Sequence, residues 1–142
     1  EMLAAAMEVP IEPPEMPEDG GNSDVLADSA IHALEHDIAP ALDDPFAASR
    51  ARDVQTLIRC MDRKRRYGAL LDQVELEELA DLLETEVTSL PDARRSFGTA
   101  LAAGGLADEA VIRTLSRKAI RDEWLYAPAV ALYPERRWSD FD

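Results

Sequence analysis

The chain's only two histidines, His32 and His36, flank Glu35 in the string His-Ala-Leu-Glu-His. Residues four apart on a helix share a face and can reach one metal ion. The string fits H-x-x-E-H, the inverted zinc-peptidase pattern in which two histidines bind zinc and the glutamate acts as general base. That chemistry also needs a distant third ligand and a large α/β scaffold. A divalent-ion contact through Asp28, His32 and His36 is favoured over a catalytic zinc site, and ordinary histidines on a solvated face beside acidic neighbours are the preferred reading. No cofactor is expected.

Arginines form the second set. Arg52, Arg59, Arg63 and Arg66, spaced 7, 4 and 3 apart, fall on one side of a helix, opposite its predicted apolar face. Lys64 and Arg65 thicken their C-terminal end, and Arg113, Arg117 and Arg121 make a further stripe at four-residue spacing. Arg52, Arg59, Arg63, Arg66 and Arg117 are the candidate contacts for phosphate, nucleic acid or an acidic partner. No aromatic residues interleave for base stacking, and acids elsewhere can neutralise the stripes, so solvated faces or partner salt bridges are preferred. The lone Cys60 cannot form an internal disulfide, which suits a reducing, cytoplasmic setting. No G-x-S-x-G string occurs, and Gly20-Gly21 and Gly104-Gly105 lack the lysine of a phosphate loop. Catalysis is not the expectation.

Composition bounds the rest. The 142 residues are 46% hydrophobic and carry a formal net charge of −14, enough apolar chain for one folded domain rather than a wholly disordered one. Residues 1–49 hold 12 of the 29 acids and no lysine or arginine; all 15 bases follow Ser49. Bulk acidity argues against nonspecific nucleic-acid binding by the whole chain. No apolar run approaches the roughly 20 residues of a membrane span, and the opening Glu1–Met7 lacks the basic leader of a secretory signal.

These residues need elements to position them. Four prolines and two glycines between 8 and 22 predict an extended or disordered acidic arm over 1–22. Five amphipathic helices follow over 23–127 as a compact all-α bundle. The first, 24–39, stops at Pro40. The second opens at Asp44-Pro45 and stops at Gly68, with Ala47, Ala51, Val54, Ile58 and Met61 as its apolar face. A third runs from the Asp72/Glu75 capping box to Pro91, a fourth over 92–103 to Gly104-Gly105, and a fifth from Asp108 to just before Pro128. No sheet is expected. Residues 128–142 read as an irregular aromatic tail.

Apolar residues in the arm (Met7, Ile11, Met16) and aromatic ones in the tail (Tyr133, Trp138, Phe141) are suited to anchoring a protein partner; a plain linker for the arm and a tail folded back over its own bundle are the equal alternatives. The segments Val25-Leu26 through Ile38-Ala39-Pro40-Ala41-Leu42, Asp44-Pro45-Phe46-Ala47 and Ala100 to Gly105 resemble parts of small uncharacterised bacterial helical domains. Those domains occur beside phosphotransferase-like or acyl-CoA-dehydrogenase-like proteins, and the resemblance implies a helical accessory role. The expected function is thus a non-catalytic accessory or adaptor subunit in a hetero-complex. A regulator binding nucleic acid or an acidic ligand is the alternative, and a metal enzyme centred on His32 and His36 a further one.

Overall fold

A computed structural model of the chain describes residues 2–20 and 24–130. The described residues form five α-helices and no strand: α1 (Met2–Ala6), α2 (Val25–His32), α3 (Pro45–Leu83), α4 (Leu90–Ala102) and α5 (Asp108–Val130). The all-helical class read from the sequence is the class observed. Helix α2 continues as a π-helical stretch, Ala33–Ile38, and a 3-10 turn, Ala39–Ala41. Pro40 has no N–H to donate, so the α-helical ladder has to loosen before it.

Local chemistry sets most helix ends. Asp24 caps α2, its Oδ1 accepting from the Leu26 N–H at 2.9 Å, and Asp44 Oδ1 accepts from the Phe46 N–H at 2.9 Å at the start of α3. Gly104 takes φ +68° after α4, and the Gly104 and Gly105 N–H groups bond back to the Leu101 and Ala100 carbonyls at 3.1 and 3.0 Å. That left-handed turn is the stop expected there.

Three expectations are corrected. The second and third predicted helices are one 39-residue helix, α3, with Gly68 buried inside it. An ideal Cβ at Gly68 would meet the Lys64 side chain at 3.4 Å. A lone interior glycine costs a helix only about 1 kcal/mol, which neighbouring packing overrides. Pro91 begins a helix rather than ending one. Ser89 is the N-cap of α4, its Oγ accepting from the Asp92 N–H at 3.3 Å and donating to Asp92 Oδ2 at 2.7 Å, and Pro91 occupies the first turn, where a missing N–H is harmless. Helix α5 runs through Pro128 to Val130. In the arm, a short helix, α1, precedes residues 9–20, which have no regular secondary structure. Ser89→Ala is expected to lower stability by about 1 kcal/mol, read as a shift in the denaturant midpoint.

The chain divides into two compact units. One comprises Glu1–Pro17 with Ala69–Asp122, the other Glu18–Gly68 with Glu123–Asp142. The first buries Ala4, Leu71, Leu79, Ala93, Val111 and Ile112, together with Glu75, Ser116 and Arg121. The second buries Ala51, Cys60 and Leu125, with as many polar residues: Gln55, Thr56 and Asp62. The larger apolar side chains of this part of α3, Phe46, Val54, Leu57 and Met61, are exposed instead.

Candidate interaction surface

In the second unit, α3 carries the arginine face, and the acids of residues 18–35 pair with it. Asp62, with a side chain 5% exposed, accepts from Arg65 Nη2 at 3.0 Å, from Arg66 Nε at 2.9 Å and from the Asp24 N–H at 3.2 Å. Asp19 accepts from Arg66 Nη1 at 2.9 Å and the Tyr67 hydroxyl at 3.1 Å, and lies 3.5 Å from Arg63 Nη2. Glu35 accepts from Gln55 Nε2 at 2.8 Å and sits 3.8 Å from Arg59. The Arg63 guanidinium stacks 3.9 Å above the Trp124 ring, which meets Tyr67 edge-on at 5.2 Å. Burial alone raises the carboxyls of Asp62 and Asp19. Hydrogen bonds and charge from the arginines outweigh it and hold both below the ordinary range.

The candidate anion contacts are therefore mostly occupied from within. Arg63 and Arg66 are largely buried and paired, not solvated; Arg52 and Arg59 remain exposed. Arg117 belongs to the first unit, where its Nε donates to Glu78 at 2.8 Å and its Nη1 to the Glu12 carbonyl at 2.8 Å. Arg121 grips the same Glu78 with two bonds, 2.8 and 2.6 Å. In the first unit too, Arg94 makes two 2.7 Å bonds to Glu75. Burial pushes Glu75 and Glu78 up, but these guanidinium bonds prevail and hold both carboxyls low. Two clefts, about 510 Å³ beside Glu78, Arg113 and Arg117 and about 290 Å³ beside Arg59, Arg63 and Arg66, are lined by these already paired charges.

Turning its arginines inward rotates the other side of α3 outward. At 100° per residue, Phe46, Val54, Leu57 and Met61 fall within an arc of about 80°. They are 69%, 45%, 53% and 71% exposed. This corrects the expected core face: Ala51 is buried as anticipated, whereas Val54 and Met61 point to solvent. Phe46 and Leu57 were not among the candidate residues. The signal that points to them is electrostatic: the base-free first third supplies Asp19, Asp24 and Glu35, which cover the arginine face.

His32 ends α2 and His36 lies in the π-helical stretch, with ring centroids 4.4 Å apart and ring planes at 52°. No group of three or more His, Cys, Asp or Glu residues is placed to hold a metal ion among the described residues. In the arm, Met7 is exposed and Ile11 and Met16 are half-buried, while Ala4 and Pro14 are buried. Tyr133, Trp138 and Phe141 lie outside the described residues. Among the described residues no helix is long and apolar enough to cross a membrane. No protein-family model, curated protein or solved structure matches the chain.

Proposed function

We propose that the chain is a non-catalytic helical accessory protein that works by binding a protein partner, and that the outward face of α3 is its principal contact surface. The observation that supports this reading is the orientation of α3: Gln55, Thr56 and Asp62 inward, Phe46, Leu57 and Met61 outward. Large apolar side chains aligned on one exposed helix face are what a helix-to-helix interface uses as anchors. Full burial of each such side chain is worth roughly 1.5–3 kcal/mol. The arginine face serves the fold on this reading, because an acidic ligand would have to displace Asp19, Asp24 and Glu35 from it.

The test compares the wild-type chain with Leu57→Glu/Met61→Glu. Each is retrieved from the cells that make it, associated chains are identified by mass spectrometry, and affinity is re-measured with purified components. The double variant is expected to bind about a hundredfold more weakly, with unchanged helical circular dichroism. Equal association by both chains, or by neither, would contradict the reading.

A further inference from the structure

We infer that the first unit carries a groove for extended, proline-rich segments, which the chain's own arm fills and which a segment of the same chemistry from another protein enters by displacing it. The groove shares no residue with the outward face of α3. Its warrant is the way residues 9–17 lie on their unit. Ile11 and Pro17 are half-buried and Pro14 is buried, while Glu12, Pro13 and Glu15 between them are exposed; Val9 and Met16 are half-buried towards the two ends. Burial at every third residue, 11, 14 and 17, is the period of a polyproline II helix laid on a surface by one edge. The strings Pro10-Ile-Glu-Pro13 and Pro14-Glu-Met-Pro17 both fit P-x-x-P. Their prolines hold φ where this extended form needs it, so little freedom is lost on docking.

The polar contact is to the backbone. Arg117 Nη1 donates to the Glu12 carbonyl at 2.8 Å, and among the described residues this is the one hydrogen bond between residues 10–17 and the rest of the chain. Arg117 is steadied for it by the bond from its Nε to Glu78 at 2.8 Å. A main-chain carbonyl is the same in every sequence, so a competing segment needs only the apolar stripe and an acceptor at that place. The arm also leaves its seat incomplete: the cleft of about 510 Å³ is lined by Pro10 and Glu12 from the arm and by Arg113, Thr114 and Arg117 from α5. A short tether presents the arm at roughly millimolar effective concentration. An identical arm from a second copy has no advantage over it, whereas a foreign segment with a larger side chain where Pro10 stands fills the cleft and does.

The test titrates a fluorescent peptide of residues 8–17 against full-length chains and reads anisotropy. Ile11→Asp/Pro14→Asp removes the arm's own fit and opens the groove, and this chain is expected to bind the peptide at roughly micromolar Kd. The wild-type chain, with its arm competing, is expected to bind at least about tenfold more weakly. On the opened chain, a peptide with Glu8, Glu12 and Glu15 replaced by glutamine should match the parent within about twofold, and a peptide carrying Ile11→Asp should lose about tenfold or more. A Pro10→Tyr peptide should gain about threefold or more, the ring's apolar body and polar tip suiting a mixed lining. Binding by neither chain, equal binding by both, or indifference to Ile11→Asp overturns the groove. If the opened chain loses its helical circular dichroism, restoration by the peptide supports the groove and failure to restore it overturns it, since the arm is then part of the core. No gain from Pro10→Tyr, or wild-type dimers in sedimentation that Ile11→Asp/Pro14→Asp abolishes, overturns the choice of another protein as the occupant.

Discussion

Replacing Glu78 by alanine is expected to cost about 3–5 kcal/mol of stability, the usual penalty for leaving a buried charge without its partner. Glu78 takes two bonds from Arg121, whose side chain is 3% exposed, and a third from Arg117. An arginine guanidinium does not lose its proton in a protein, so deprotonation offers no relief from that penalty. Arg117 keeps the Glu12 carbonyl; Arg121 has no other acceptor among the hydrogen bonds of its unit. The double replacement Glu78→Leu/Arg121→Met removes both charges and is expected to recover most of the loss, because a well-packed apolar pair is often as stable as a buried ion pair. Urea unfolding of the three chains measures this directly. A Glu78→Ala chain within about 1 kcal/mol of wild type would show that solvent reaches Arg121 after all.

Asp62→Asn is expected to cost about 3 kcal/mol at neutral pH, and the cost should vanish in acid. Asparagine keeps the shape but removes the charge to which Arg65, Arg66 and the Asp24 N–H all donate. The folded chain holds the Asp62 carboxyl below its ordinary value. The unfolded chain therefore takes up a proton first as pH falls, and the stabilisation is complete above the unfolded value, near pH 4. It drains away as pH drops from there through the folded value. Wild type and variant should converge on that limb. Asp19, Glu75 and Glu78, also held low, lose their contributions over the same range, so the whole chain is expected to destabilise steeply below about pH 4. A difference between wild type and Asp62→Asn that persists unchanged below pH 3, roughly a unit under the unfolded value, would contradict this account.

Much of the fold was legible because helix ends are written locally. Asp44-Pro45, Asp108 and Gly104-Gly105 each announce a boundary through their own side chains or backbone freedom, and the boundaries lie there. Gly68 and Pro91 misled for a related reason: glycine fits both a helix stop and a tolerated interior position, and proline both ends helices and begins them. Packing, not local chemistry, decides between the two. The outward turn of α3 was the least legible feature. Val54, Ile58 and Met61 share a face with Ala51, which is what a buried stripe looks like. What reversed it was pairing between residues 47 positions apart, Asp19 with Arg66, and no local pattern records such a pairing. The charge asymmetry did contain the clue. Of the twelve acids in the base-free residues 1–49, Asp19, Asp24 and Glu35 pair with arginines of α3.

The inversion of α3 is most directly tested by the unfolding midpoint of Leu57→Ser/Met61→Ser, measured at a protein concentration low enough for the chain to be monomeric. Residues already facing solvent should change stability by no more than about 0.5 kcal/mol. A loss of several kcal/mol, of the roughly 2–5 kcal/mol that truncating a single buried Leu or Met costs, would place Leu57 and Met61 in a core and contradict the outward apolar face.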